Sequence, residues 1–163
     1  MSRPRFLFDE MLGKLARELR ALGYDAAYAH GSEDDAILDR ARREERLLVT
    51  RDRELADRAG SRAELLETRD PSEQLAELVD RLELEPTAAA FLSRCLECNT
   101  ELANVDASGA GPDEHAEGPR WRCPSCERVY WPGSHAHDML DRLGEHLPDD
   151  VGASEALGGE RKA

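Results

Sequence analysis

The chain has 163 residues and a formal net charge of −13, enough for one ordinary domain or for one domain with a small module attached. No apolar run approaches the roughly 18–20 residues of a membrane-crossing helix. The opening MSRPRFLFDEML meets an acidic pair before the apolar core of a signal peptide could form, so a cytoplasmic protein is expected.

In chain order, RFLF (5–8) reads as a short buried strand. Met11, Leu12, Leu15, Leu19 and Leu22 then recur at helical spacing, with Gly23 as a stop. YDAAYA (24–29) is a second, weaker strand. A helix from Asp34 or Asp35 carries Ile37, Leu38 and Ala41 on one face, and RLLVT (46–50) is a third strand. Residues 54–59 suit a short helix and AELLET (63–68) a fourth strand. Asp70, Pro71 and Glu73 then open another helix as cap, first residue and capping-box acid, with Leu75, Leu78, Val79 and Leu82 as its apolar face. Strands alternating with helices predict a parallel sheet covered by helices, an α/β fold.

After Pro86 the composition changes. Cys95-x2-Cys98 and Cys123-x2-Cys126 form two paired knuckles, the spacing of a structural zinc site with four thiolate ligands. In so small a module, metal binding would supply much of the folding free energy, on the order of 10 kcal/mol. Disulfides or a redox CxxC are the alternatives, and a reducing cytoplasm disfavours them. The insert between the knuckles, about residues 103–119, is rich in Gly, Asp and Glu and is expected to be a mobile loop. The tail over 147–163 lacks an apolar pattern and is expected to be disordered. Trp121, Tyr130 and Trp131 either stack on unpaired bases or cover the underside of the ribbon, the second being favoured because a small ribbon has little else to bury. His135 and His137 follow them, and His135 is a candidate phosphate contact.

The charge is unevenly placed. Residues 1–60 hold 12 Lys and Arg against 13 Asp and Glu, so nearly all the acidity lies in residues 61–163. Seven arginines fall between positions 40 and 58: Arg40, Arg42, Arg43, Arg46, Arg51, Arg53 and Arg58. Lys14 and Lys162 are the only lysines. Many carboxylates and almost no lysine suit a halophilic protein, because high salt screens repulsion within a few ångströms. A high-GC coding bias explains the missing lysine better than the acidity.

Right-handed crossovers point parallel strands the same way, so their C-terminal ends share one edge, the usual place for a site in open α/β sheets. Asp9 follows the first strand, Glu33-Asp34-Asp35 the second, and Asp52 the third. Asp9 and Asp34 also stand where helix caps belong, a role worth about 1 kcal/mol. Three carboxylates brought close together repel one another unless a cation sits among them. Mg²⁺ or Mn²⁺, which prefer oxygen ligands, would satisfy them and would equip the site to hydrolyse a phosphodiester. Nearby arginines could hold phosphates, although Arg40, Arg42 and Arg43 equally suit a solvated helix face.

FLFDEMLGKLARELRALGYD, followed by DDAILDRARREERLLVTRDREL, resembles the PIN-like ribonucleases. RCLECN and RCPSCERVYWPGSH narrow the resemblance to the branch with a C-terminal zinc ribbon, the Mut-seven C-terminal RNase domain. It runs in order over roughly residues 5–146. It implies a PIN fold over residues 1–90, a zinc ribbon with a following helix over 91–146, and metal-dependent cleavage of RNA. The family's acids fall on Asp9, on Asp34 (with Asp35 as neighbour and substitute) and on Asp52, with Glu54 as a further acid two residues later. Together these readings make Asp9, Asp34 and Asp52 ligands for one or two Mg²⁺ or Mn²⁺ ions, assisted by Asp35 or Glu54. Arg51 and Arg53 are then phosphate-binding residues. Thr50 is placed on the substrate side, where it would orient the acidic strand exit. Cys95, Cys98, Cys123 and Cys126 hold one structural zinc. Single-stranded RNA is the expected substrate, and a ribonucleoprotein a candidate partner. The rival is a non-catalytic adaptor for RNA or protein, built on a degenerate PIN domain plus ribbon.

Overall fold

The structure, a computed structural model, describes residues 3–105 and 120–148. The chain forms two compact units, one from Met1–Leu19 and Tyr24–Leu84, the other from Arg20–Gly23 and Glu85–Ala163.

The first unit is a four-stranded parallel sheet flanked by helices, as the alternation of elements predicts. Its strands are β1 (Arg5–Phe8), β2 (Asp25–Tyr28), β3 (Leu47–Thr50) and β4 (Ala63–Leu65), and its helices are α1 (Gly13–Ala21, shared with the second unit), α2 (Asp34–Arg43), α3 (Arg53–Ala59) and α4 (Pro71–Arg81). The strand order is β2-β1-β3-β4, with every pair parallel. β1 is therefore central, with β2 and β3 on either side. Both faces of its RFLF segment are used. Leu7 packs with Ala27, Ala29, Ile37, Ala41, Leu48 and Leu55 on one face, while Phe6 and Phe8 are fully buried and Phe6 meets Tyr24 edge-on at 5.9 Å. Burial on both faces is why parallel strands read as continuous apolar runs rather than alternating ones.

Three local details depart from the sequence expectations. The helix after β1 starts as a 3₁₀ turn, Glu10–Leu12. The tighter turn rotates Met11 out to 68% exposure, while Leu12, Leu15, Leu19 and Leu22 stay buried. The helix after β2 begins with Glu33 at its cap position, making no side-chain cap bond, and Asp34 is its first residue. At α4 the Asp70 carboxylate caps Ser72 N at 2.9 Å as expected, but Glu73 does not close a capping box on Asp70. Glu73 accepts from the Thr68 hydroxyl (2.7 Å), and that same oxygen accepts from Asp70 N (3.3 Å). A hydroxyl is thus inserted into the reciprocal cap.

The second unit holds an antiparallel sheet of β5 (Ala103–Val105), β6 (Arg120–Arg122) and β7 (Val129–Tyr130), followed by helix α5 (Ser134–Leu143). Ala103–Val105, expected within the loop, is a strand. Residues 106–119 of that insert and residues 149–163 of the tail lie outside the described residues, while Leu147 is buried. No described helix is long and apolar enough to cross a membrane.

Candidate functional site

The C-terminal edge of the first sheet gathers side chains from the ends of β1 and β3. Asp9 leaves β1 as an almost fully buried residue. Its Oδ1 accepts from Met11 N at 3.2 Å, capping the 3₁₀ turn, and its Oδ2 accepts from the Thr50 hydroxyl. Thr50, the last residue of β3, is wholly buried, and its Oγ1 also accepts from Asp52 N at 3.0 Å. Asp52 Oδ1 in turn accepts from Leu55 N at 3.1 Å and caps α3. One buried hydroxyl therefore ties together the acids at the ends of two neighbouring strands.

The electrostatics follow from this geometry. Burial pushes the Asp9 carboxyl above its ordinary value; the bonds from Thr50 and Met11 pull it back, the Asp52 charge adds to the rise, and the Arg51 charge opposes it. Arg51 is half-buried beside Asp9, and its Nε is buried without a hydrogen-bond partner among the described residues. Arg53 is exposed and lies 3.9 Å from Glu67.

The remaining acids meet a different cation. Asp35 accepts from Arg58 Nη2, and the charges of Asp34 and Glu54 also act on that guanidinium, holding its proton more firmly. The structure thus couples Asp9 with Asp52, and gathers Asp34, Asp35 and Glu54 around Arg58. The sequence reading counts Arg58 only among the nearby arginines that could hold phosphate and not as a partner of these acids, although its place four residues after Glu54 on one helix is the available signal.

The other arginines divide by position. Arg40 bonds Glu44 at 2.9 Å, Arg43 lies 3.3 Å from Asp39, and Arg46 is buried against Glu44, Asp25 and Phe6 O. Arg46 precedes β3, at the entry edge of the sheet rather than its exit. Arg40, Arg43 and Arg46 are therefore engaged in ion pairs away from the acidic edge; for Arg40 and Arg43 this is in keeping with the solvated-face alternative, whereas Arg46 is buried.

Beyond the β2 exit, Tyr28 donates its hydroxyl proton to Glu10 O at 2.7 Å, and the His30 ring stacks on the Tyr28 ring at 5.8 Å and 28°. His30 Nδ1 lies 3.5 Å from Glu10 Oε1.

In the second unit the four cysteine sulfurs lie within 4.8 Å of one another, the only group of three or more potential ligand side chains so gathered among the described residues. Sulfurs about 2.3 Å from a tetrahedral zinc are about 3.8 Å apart, and Cys95 Sγ and Cys126 Sγ are 3.8 Å apart. The two knuckles repeat one backbone design. Cys95 N donates to Thr100 O and Asn99 N to Cys95 O; Cys123 N donates to Arg128 O and Glu127 N to Cys123 O. Asn99 and Glu127 both take positive φ, 65° and 64°. Amide donors reach the sulfurs from Cys98 to Cys95 and from Ser125 and Cys126 to Cys123, at 3.4–3.5 Å. Tyr130 Oη accepts from Leu96 N, which leaves its own proton for Cys95 Sγ 3.2 Å away. That contact was not visible in the sequence. With sulfurs this close, the Cys98 thiol is pushed up to about 12, first by its bond with Cys126, then by burial and the other cysteines. A bound cation reverses that penalty by deprotonating its thiol ligands. The cluster is thus positioned to hold one metal ion, and four thiolates fit zinc.

Trp121 is fully buried against Cys95, Leu102 and Cys123, with Tyr130 packed alongside, so it covers the ribbon. Trp131 is half-buried, with the Arg120 guanidinium 5.8 Å from its ring centre. His135 and His137 are exposed near the start of α5, where the His137 ring is 2.9 Å from Gly133 O.

No curated protein and no solved structure matches the chain. The Mut7-C RNAse domain matches residues 4–143, most of the sequence and both units of the fold, and the chain belongs to that family.

Proposed function

We propose that the protein is a ribonuclease that hydrolyses phosphodiester bonds of single-stranded RNA with Mg²⁺ or Mn²⁺, at the exit edge of a PIN-like domain spanning residues 1–90. The observation that carries this is the Asp9–Thr50–Asp52 linkage, in which one buried hydroxyl at the end of β3 donates to the Asp9 carboxylate from the neighbouring parallel strand and accepts from the backbone N–H of Asp52. Mg²⁺ commonly takes one or two carboxylates and leaves the rest of its shell to water and substrate phosphates. A carboxylate has about four acceptor sites, so the two bonds made by Asp9 leave capacity for an ion. The Asp52 charge adds to the rise that burial causes in the Asp9 carboxyl, and a cation between the two carboxylates would offset that repulsion. When bound, one or two such ions would activate water and stabilise the leaving oxygen.

The chain's own residues have separate tasks. Thr50 orients Asp9 and fixes the backbone that presents Asp52. Arg51 and Arg53 hold phosphate on the β3 side. Asp34, or Asp35 in its place, and Glu54 are further acids beside Arg58, available to complete the ligand set once that ion pair opens. The ribbon over residues 91–146, held by one structural zinc, would offer a surface to RNA or a ribonucleoprotein. A cytoplasmic, salt-adapted setting is proposed from composition alone.

The test is cleavage of an end-labelled single-stranded RNA by zinc-replete protein with added Mn²⁺, comparing wild type with Asp9→Asn and Asp52→Asn. Metal-dependent cleavage that is lost in both variants is the expected result. A folded but inert wild type would replace the nuclease with the adaptor.

A further inference from the structure

We propose that His30, backed by Tyr28, is a stacking platform for one unpaired nucleobase of the RNA, immediately beside Asp9. The inference rests on RNA being the ligand of the acidic edge and adds a subsite to it. Register fixes the location: Phe8 pairs with Tyr28, and Ala29 N donates to Phe8 O at 2.9 Å, so His30 leaves β2 alongside Asp9 and Glu10. With β1 between β2 and β3, the edge carries His30, then Asp9, then Arg51 and Asp52. From β2 to β3 is two strand spacings, about 10 Å.

The platform is built before any ligand arrives. The Tyr28 ring lies over Gly13, where an added Cβ would stand 3.2 Å from its Cζ and Oη. Its hydroxyl is tied to Glu10 O, and His30 stacks on the ring with Nδ1 facing the Glu10 carboxylate. His30 remains 73% exposed and Met11, on the same turn as Glu10, is 68% exposed. An open ring held on its inner side offers a flat polarizable surface of the kind on which bases stack.

Charge sets the orientation. Arg51 and Arg53 lie on the β3 side of Asp9, whereas Glu10 lies on the β2 side and repels phosphate. The uncharged base therefore goes to His30 and the phosphate toward the arginines.

The experiment measures binding of a fluorescein-labelled single-stranded RNA octamer to zinc-loaded full-length protein by anisotropy, without added Mg²⁺ or Mn²⁺. His30→Ala should weaken binding roughly 5- to 150-fold, the range for loss of one base–aromatic stack, and His30→Phe should restore most of it. Scanning a single abasic residue along the octamer should reveal a position that matters for wild type and is neutral for His30→Ala. Unchanged binding by His30→Ala, equal loss in His30→Phe, indifference of wild type to every abasic position, or no RNA binding at all would overturn the proposal. Base-dependent binding without cleavage would leave this subsite standing and remove the nuclease; cleavage indifferent to His30 would do the reverse.

Discussion

The two clusters of acidic side chains handle crowding in opposite ways. In the second unit, four thiols converge within 4.8 Å, placed by two short knuckles whose hydrogen bonds span only a few residues each. In the first unit the acids come from the ends of separate strands and helices, and each of Asp9, Asp52 and Asp35 already has a donor within the protein. In the sulfur cluster the neighbouring cysteines hold the Cys98 thiol protonated, a penalty that a bound cation would reverse. The carboxylates are satisfied without one. The difference predicts that a metal in the ribbon would act as a folding cofactor, whereas the metal proposed for the sheet edge would be a guest whose loss leaves the fold intact.

Zinc removal tests the comparison hardest. Both tryptophans, Trp121 and Trp131, lie in the second unit, so tryptophan emission reports on that unit alone. A strong chelator, or Cys123→Ser at a fully buried ligand, should expose Trp121 and shift its emission to the red, with a stability loss on the order of 10 kcal/mol for the module. Elemental analysis should find one zinc per chain. Emission that ignores chelation would show that the ribbon holds itself together by packing.

At the sheet edge, the largest effect should come from Thr50→Val. The substitution keeps the shape and strips a buried hydroxyl from two partners, Asp9 Oδ2 and Asp52 N. Leaving such groups unpaired costs about 1–3 kcal/mol, and RNA cleavage should fall with it. Thr50→Ser should recover both in denaturant titration and activity. If Val and Ser behave alike, the hydroxyl is not what binds the two acids.

Asp9→Asn should separate function from stability. Because its folded-state pKa is raised, the unfolded chain ionises first as pH increases. Stability therefore declines as pH climbs from the ordinary carboxylate value through the folded one. The neutral variant escapes that decline, so its stability relative to wild type should rise between about pH 3.8, the ordinary value, and pH 7, whatever the amide costs by replacing one acceptor oxygen. Cleavage should drop by about 100-fold or more, the scale of one positioned catalytic group. A difference that stays constant from acid to pH 7 would mean that packing and hydrogen bonding, not ionisation, separate the two proteins.

Much of this architecture is legible in the chain itself. RFLF, RLLVT and the CxxC pairs announce themselves because strand burial and thiolate spacing are local properties. The arginines do not. Positions 40 to 58 form one basic stretch on paper, yet α2 returns the chain to the start of β3, so Arg46 stands at the entry of that strand and Arg51 at its exit. A charge count along sequence does not register the reversal. The pairing of Asp35 with Arg58 across α2 and α3, and the stacking of His30 on Tyr28, depend likewise on where side chains meet in space. Met11 was misread for a local reason: a 3₁₀ turn advances each residue by about 120° rather than 100°.

The finest comparison lies between the two zinc knuckles, which share a backbone and differ in the residue that takes positive φ. Asn tolerates that region because its short polar side chain can bond locally, while Glu gains no such relief. Glu127→Gly should therefore stabilise the ribbon by about 0.5–1 kcal/mol, the strain relieved exceeding the extra unfolded-state freedom of glycine. Asn99→Gly should change stability by less, and could lower it. Glu45 and Glu83, at φ 53° and 49° just beyond α2 and α4, supply the control in the first unit, where Gly should also stabilise. Zinc-loaded melting measured for all four variants separates the outcomes. A gain at Glu45 and Glu83 without one at Glu127 would mean that the ion, and not backbone preference, dictates the second knuckle's turn.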